Sequence, residues 1–155
     1  MPAVLSSDVH SLAWVVVSVV AVLEAVKQNG CALQYANYRL QADRELVMEA
    51  VKQNAKVLEY FNEGLQADRE VVLEAVKQDG FALKYASKEL QADKEVVLEA
   101  VKKNGWALQY ANYRLQADKE VVLTAVEQNR EALHYASYEL RFAIRALQEL
   151  TNNLK

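Results

Sequence analysis

Proline and glycine are scarce in this chain of 155 residues, which has one proline, Pro2, and four glycines. Because proline breaks helices and glycine weakens them, almost nothing after Pro2 interrupts a helix. Strands joined by tight hairpins are disfavoured, since their turns depend on glycine. With 52% apolar and 25% charged residues, the composition predicts a folded helical protein.

Cysteine and histidine are scarcer still, with one cysteine and two histidines. Cys31 has no partner for an internal disulfide and cannot build a cysteine-based zinc site, so we expect a reduced, intracellular setting whose compartment stays open. The best metal-like spacing is Glu131-Ala-Leu-His134. Di-iron bundles need two Glu-x-x-His motifs and further carboxylates. The sequence therefore predicts no metal and no cofactor.

Positive charge is also limited, because the formal net charge is -3 at pH 7. Without a basic footprint, we expect no nucleic-acid partner. The longest uncharged stretch, residues 11–23, is shorter than the roughly 20 apolar residues that span a bilayer. No transmembrane span is predicted, although this stretch is apolar enough to lie near a membrane.

An internal repeat dominates the rest of the chain. Asp43, Asp68, Asp93 and Asp118 are spaced by 25 residues, and an eroded earlier copy starts near Ser18. One such unit is too small to bury its own apolar face, so neighbouring units must stack. We predict an all-α solenoid of five helical-hairpin units at 18–42, 43–67, 68–92, 93–117 and 118–140.

The first half of each unit has the pattern of an α-helix, here called helix A. Its Asp is a good N-cap, and apolar residues at the fourth, fifth, eighth and ninth places follow a helical period. The glycine at the thirteenth place of three units predicts a helix end with a left-handed residue. These glycines are Gly30, Gly80 and Gly105.

The second half of each unit predicts a shorter helix B with apolar residues at helical spacing. The twentieth place is always Asn or Ser, and these residues favour caps and turns over helix interiors. Two alternatives stay open: helix B is continuous, or it stops there and restarts as a short turn.

The two ends depart from the repeat. Residues 141–155 predict a C-terminal capping helix whose inner stripe is Leu140, Ala143, Ile144, Leu147 and Leu150, with Arg141, Arg145 and Glu149 facing away. Residues 1–17 form an apolar N-terminal segment. We expect an N-terminal docking patch that includes part of this segment and the start of the first unit, and that contacts a partner subunit, a second copy of this chain or a membrane edge. Its residues are Trp14, Val15, Val16, Val19 and Val20.

The recurring sequence D-x-E-V-V-L-x-A-V-K-Q-N-G-x-A-L-Q-Y-A-S-x-E-L-Q-A resembles a family of 25-residue helical-hairpin repeats catalogued as a domain of unknown function. The resemblance covers roughly residues 18–140. It implies tandem helical repeats and carries no established activity, so it assigns no catalytic residue.

Tyrosine recurs at the eighteenth place of every unit. The positions are Tyr35, Tyr60, Tyr85, Tyr110 and Tyr135. A tyrosine required by each unit is most simply structural, with its ring packed between units and its hydroxyl near water.

Three other places vary from unit to unit: the fourteenth, the seventeenth and the twenty-first. On a continuous helix B they share one face, and we call this face the variable ridge. Because solenoids bind along corresponding positions of successive units, the ridge is a candidate partner-binding surface. The alternative is that its variation reports only solvent exposure. The candidate binding residues are Phe81, Trp106, Tyr113, Tyr138, Tyr38 and His134.

No converging polar set in the sequence indicates catalysis. We therefore expect a non-catalytic protein-interaction or scaffold module, or a small structural subunit docked through its apolar N-terminus. Its partner would be a protein or a larger complex, and self-association stays open. The competing hypothesis is an enzyme or small-molecule receptor with a pocket between units near Glu131 and His134.

Overall fold

The computed structural model describes residues 18–153, and within this range it contains helices and no strand. Helix α1 occupies 18–28 at the start of the described part. The other α-helices are α2 (Tyr38–Gln41), α3 (Arg44–Gln53), α4 (Glu63–Gln66), α5 (Arg69–Gln78), α6 (Lys94–Lys103), α7 (Lys119–Gln128) and α8 (Tyr138–Asn153). Of these, α1, α3, α5, α6 and α7 are the five A helices.

A 3₁₀ helix follows each A helix. These are η1 (Gly30–Tyr35), η2 (Ala55–Tyr60), η3 (Gly80–Tyr85), η5 (Gly105–Tyr110) and η6 (Arg130–Tyr135), and a further short one, η4 (Leu90–Ala92), closes the third unit. Successive A helices pack on one another, and so do successive 3₁₀ helices. The chain is a short all-α solenoid with an α layer and a 3₁₀ layer, as the repeat predicts.

The A helices begin where the sequence predicts. The carboxylate of Asp68 accepts hydrogen bonds from the backbone N–H groups of Glu70 (3.0 Å) and Val71 (3.2 Å). The Asp at the first place of the other complete units does the same. Since the first N–H groups of a helix have no internal acceptor, this residue fixes each start.

The core lies between the two layers and runs through neighbouring units. In α5, Val71, Val72, Ala75 and Val76 are fully buried, and Leu73 is partly buried against the same core. Corresponding residues of α3 and α6 are buried as well. Each A helix therefore buries apolar surface mainly against its neighbours, and stability is shared along the stack.

The expectation of left-handed glycines is wrong, because no glycine among residues 18–153 has a positive φ. A Cβ on Gly80 would lie 2.3 Å from the carbonyl oxygen of Ala100, and one on Gly105 would lie 2.4 Å from that of Ala125. At these glycines the 3₁₀ helix begins so close to the backbone of the next A helix that a Cβ would clash with it.

Two units lack this glycine. In the second unit, Ala55 takes the place and is buried. In the fifth unit, Arg130 takes it and is exposed. No sixth A helix follows Arg130 among the described residues, so its side chain meets no backbone of a next repeat.

A continuous helix B is also wrong, and the alternative of a stop and restart is confirmed. The 3₁₀ helix η3 ends at Tyr85, and Ala86 is extended with φ -70° and ψ 154°. The hydroxyl of Ser87 then accepts from the N–H of Leu90 (3.4 Å). The Asn or Ser at the twentieth place therefore caps a new turn, as its side chain favours.

Two recurring side chains, both missed in the sequence, hold this second half in place. The Asn or Asp at the twelfth place caps the 3₁₀ helix, as Asn104 does by accepting from the N–H of Trp106 (3.1 Å). The Gln at the twenty-fourth place folds back, and Gln91 Nε2 donates to the carbonyl oxygens of Leu83 (3.1 Å) and Ala86 (3.2 Å). The signal was their recurrence at one place in successive units.

The C-terminal helix differs from its prediction in where it begins and in which side chains it buries. It begins at Tyr138, three residues before the expected start at 141. Arg141, expected to face away, is half-buried because it takes the place of the folded-back Gln and donates to the carbonyl oxygen of His134 (3.5 Å). Leu140 and Ile144 pack on the core.

The predicted inner stripe does not continue along the rest of α8. Ala143, Leu147 and Leu150 are exposed, because the helix extends past the last A helix that it could cover. Only the first turns of α8 therefore act as a cap.

At the other end, Trp14, Val15 and Val16 of the expected docking patch lie outside the described residues. Val19 is half-buried on α1, and Val20 is 60% exposed. Docking through this patch stays a prediction. Within 18–153, no helix combines the length and apolarity required to cross a bilayer.

Candidate interaction surface

The ridge positions lie on the 3₁₀ layer of the solenoid. The fourteenth and seventeenth places are three residues apart on one 3₁₀ helix, where about three residues make a turn, so they stand on the same side. The twenty-first place lies on the turn that follows. The ridge is thus formed by the 3₁₀ helix and the turn that follows it in each unit. The sequence predicted the same face on a continuous helix B.

Ridge positions of neighbouring units surround a shared depression. Its volume is about 390 Å³, and it lies between the third and fourth units. It is lined by Lys84, Lys88, Gln91, Gln109, Tyr110, Ala111 and Asn112. Three of these, Lys84, Lys88 and Gln109, occupy ridge places.

A second depression, of about 270 Å³, adjoins the first and shares Lys84 and Tyr110 with it. It is lined by Lys56, Asp79, Phe81, Ala82, Lys84, Tyr85 and Tyr110. The two depressions together form a groove across the second, third and fourth units. We call it the basic groove and define it by Lys56, Lys84, Lys88, Phe81, Tyr85 and Tyr110.

Aromatic pairs connect the ridge to the tyrosines at the eighteenth place of each unit, which we call the tyrosine ladder. The rings of Phe81 and Tyr110 have centroids 6.0 Å apart at 71°, and those of Trp106 and Tyr135 are 5.7 Å apart at 64°. Both are edge-to-face contacts, which stabilise beyond simple burial. Each joins the fourteenth place of one unit to the tyrosine of the next. Trp106 is half-buried, whereas Phe81 in the equivalent contact is 36% exposed, so the stacking covers the fourteenth place only in part.

The tyrosine ladder itself is only partly as expected. Tyr85, Tyr110 and Tyr135 are partly buried against the core. Tyr35 and Tyr60 are 84% and 56% exposed, so their rings are not enclosed between units.

Tyr85 also has a perturbed acidity. Burial raises the pKa of its hydroxyl, and a hydrogen bond with the Glu59 carboxylate raises it further. The ammonium nitrogen of Lys84 lies 5.2 Å from the centroid of the same ring, a cation–π contact. The Tyr85 side chain therefore lies close to both the Glu59 carboxylate and the Lys84 ammonium group.

The twenty-first place carries the most exposed aromatic side chains of the ridge. Tyr38, Tyr113 and Tyr138 are all exposed. The guanidinium of Arg114 lies 5.8 Å from the Tyr113 ring centroid, and Arg39 stands over Tyr38 in the same way at 5.9 Å. These rings contribute little to the core and are accessible to a partner.

Glu131 and His134, proposed for a pocket between units, are both exposed on η6. The described contact of Glu131 is made by its backbone, whose N–H donates to Asn129 Oδ1 (2.9 Å). Across the described residues, no three His, Cys, Asp or Glu side chains stand close enough to share a metal ion. The enzyme hypothesis stays a prediction.

The α layer carries a ladder of ion pairs between units that the sequence analysis missed. Lys94 Nζ lies 2.9 Å from a carboxylate oxygen of Asp118 and 2.8 Å from one of Glu120. Arg69 bridges Asp93 and Glu95 in the same way. The signal was a basic residue at the second place with carboxylates at the first and third places of the next unit.

These contacts shift the acidity of the capping carboxylates. The hydrogen bond from Lys94 lowers the pKa of Asp118 from its ordinary 3.8, and helix N–H groups lower it further. Asp93 shows the same direction: burial would raise its pKa, but hydrogen bonds from Val96 N–H and Arg69 outweigh that effect.

Replacing Asp118 separates its capping role from its charge. Asp118→Ala should lower the free energy of unfolding by about 1 kcal/mol at pH 7, because the helix start loses its acceptor. Asp118→Asn should lower the free energy of unfolding by less, since an amide oxygen still caps the helix. Urea denaturation at pH 7 and at low pH measures both.

The sign of the pH effect follows from the lowered pKa. Above pH 3.8 the folded carboxylate contributes fully, and the contribution is lost as pH falls through the lowered pKa. The stability difference between the parent chain and Asp118→Asn should therefore shrink in acid. A difference that grows as the pH falls would contradict the ion pair.

Comparison with known proteins agrees with this geometry. Four overlapping windows, 22–66, 43–91, 68–113 and 93–141, match the family described as Domain of unknown function (DUF4116). Searches among curated proteins and among solved structures found no match. The windows advance by about one repeat each and together cover most of the chain. The chain therefore belongs to the family described as Domain of unknown function (DUF4116).

Proposed function

We propose that this chain is a protein-interaction module that binds its partner along the variable ridge of the 3₁₀ layer. The observation that carries the proposal is the basic groove, where ridge residues of three successive units line two adjoining depressions. A surface built from corresponding positions of stacked units is the usual binding site of a solenoid.

The contrast between constant and variable places within each unit supports this function. Places that recur unchanged cap helices, fill the core or fold back on the backbone, as Asp68, Val72 and Gln91 do. Places that vary are concentrated on the 3₁₀ layer. Variation on one surface of a fixed scaffold suits specificity for a partner, because loops and short turns can change without altering the core.

Tyr113→Ala tests the proposal with little risk to the fold, because the Tyr113 side chain is 69% exposed. An aromatic anchor is worth on the order of 2 kcal/mol at an interface, so the affinity for the partner should fall by roughly thirtyfold. Helicity and the melting temperature should stay nearly unchanged. Binding is measured by calorimetry with the partner that purifies with the chain under native conditions.

Leu123→Ala is the matched control, since Leu123 is an exposed apolar residue on α7 in the other layer. It should leave partner binding unchanged. Trp106→Ala is less suitable, because loss of its contact with Tyr135 should also lower stability, by roughly 1 kcal/mol. If Tyr113→Ala binds like the parent chain while Leu123→Ala does not, the ridge is solvated surface and the proposal fails.

A further inference from the structure

Lysine has an uneven distribution on the ridge. Of the fifteen ridge positions, three hold lysine, and these are Lys56, Lys84 and Lys88. All three line the basic groove, although they come from two different units. The chain as a whole has a net charge of -3, so this groove is a local positive site on an acidic protein. Such a contrast favours encounter with a negatively charged ligand.

These ammonium groups are available for an external carboxylate. Among the ion pairs formed within residues 18–153, none includes Lys56, Lys84 or Lys88. Lys88 Nζ donates to the neutral amide oxygen of Gln91 (3.0 Å) and keeps further protons to donate.

The carboxylates of this layer offset only part of the positive charge of the groove. Asp79 accepts from the N–H of Phe81 (2.9 Å) and caps η3. Glu59 raises the pKa of the Tyr85 hydroxyl and does not line either depression. Glu63 and Glu89, which are also on this layer, do not line either depression. Asp79 keeps its negative charge while it caps η3, so it offsets one of the three lysines, and the groove retains an excess of two positive charges.

The walls of the groove add an apolar component. Phe81 and Tyr110 form an edge-to-face pair that the second depression borders, and Lys56 and Lys84 stand at its rim. The first depression offers Lys84 and Lys88 with the amides of Gln109 and Asn112. One depression thus suits an apolar side chain, and the adjoining one suits a carboxylate.

We infer that the basic groove binds an extended acidic peptide segment of the protein partner. Its carboxylates contact Lys84 and Lys88 in the first depression, and an apolar side chain next to them lies in the second depression against Phe81 and Tyr110. This inference rests on the proposed function and specifies the chemistry of the partner. A nucleic acid fits less well, because tight phosphate binding usually takes many more cationic contacts than the three lysines provide.

Fluorescence anisotropy of a labelled synthetic heptapeptide tests the inference. The peptide has one phenylalanine flanked on each side by acidic residues, and its neutral analogue has Gln and Asn in their place. The intact chain should bind the acidic peptide at least roughly tenfold more tightly than the neutral one, and added salt should weaken binding. An absence of binding at millimolar peptide, or equal binding of both peptides, would overturn the inference.

Charge-reversal variants locate the site. Lys84→Glu combined with Lys88→Glu should weaken peptide binding by tenfold or more. Lys77→Glu combined with Lys103→Glu changes the net charge equally on exposed residues of α5 and α6 outside the groove, and it should have little effect. Equal losses of peptide affinity in both double variants would mean that the peptide responds to the overall charge of the protein. The assignment of the binding site to the groove would then be wrong. Circular dichroism checks that each variant is folded.

Two further outcomes are informative. A single-stranded oligonucleotide of equal charge that binds more tightly than the acidic peptide would replace the inference with nucleic-acid binding. In the other outcome, the native partner loses affinity for Tyr113→Ala and still binds the Lys84 and Lys88 double variant normally. That result would support partner binding along the ridge and would contradict an acidic ligand in the groove. If neither variant changes partner binding, the proposed function and the acidic-peptide inference are both wrong.

Discussion

Gly80→Val should destabilise the solenoid by about 3 kcal/mol, at the upper end of typical overpacking costs. The added Cβ would lie 2.3 Å from the carbonyl oxygen of Ala100, and this atom belongs to the backbone of α6. A flexible side chain could move away at little cost, but here η3 must separate from the next A helix. Urea denaturation followed by circular dichroism measures the loss.

Gly64→Val is the matched control. Gly64 lies in the short helix α4, is exposed, and a Cβ there would meet only the end of the Asn62 side chain, at 3.2 Å. Because valine also has a higher helix propensity than glycine, stability should change by less than about 1 kcal/mol. Equal denaturation midpoints for both variants would contradict the close approach of the two layers.

Leu108→Ala should have a comparable effect. Leu108 on η5 is fully buried in the core between the layers, and truncation of such a leucine costs about 2–5 kcal/mol through lost burial and the cavity left behind. Leu123→Ala makes the same chemical change at a side chain that is 49% exposed, and it should cost less than about 1 kcal/mol. Both are measured by urea denaturation.

The two leucine variants also test where the core lies. Leu108 belongs to the 3₁₀ layer, so a large loss of stability would show that the second half of the unit contributes to the core. A Leu108→Ala chain as stable as the Leu123→Ala chain would mean that the 3₁₀ layer packs loosely, and the groove defined on it would lose its rigid base.

The sequence was sufficient to predict the repeat, the α-solenoid and the starts of the four A helices that follow an Asp. These features depend on local signals that recur at one period, such as the Asp at the first place and the apolar pairs after it. Because five copies repeat the same signal, the signal remains visible even where one unit departs from the common sequence, as the eroded first copy does.

Features that depend on a neighbouring unit were missed. A glycine after a helix has two physical explanations, a left-handed residue or a close contact, and only the carbonyl of Ala100 beside Gly80 distinguishes them. The 3₁₀ helix likewise depends on Gln91 folding back from eight residues later in the chain. The sequence contains these residues, but their partners are set by tertiary packing.

The candidate site was partly accessible from the sequence. Comparison of the units identified the variable places, and Lys84 and Gln109 are indeed brought to one depression. The half-burial of Trp106 was not foreseen, because it results from Tyr135 in the next unit. Lys56, Lys84 and Lys88 were not selected as binding residues, since their proximity crosses a unit boundary.

Photo-crosslinking in native cells tests the central claim, that the 3₁₀ layer binds the partner, most directly. A photoreactive amino acid replaces Tyr113 in one variant and Leu123, on the α layer, in another; both positions are exposed. Irradiation should join the Tyr113 variant to one discrete protein and give no such product from the Leu123 variant. A product from the Leu123 variant alone, or the same products from both, would contradict the account.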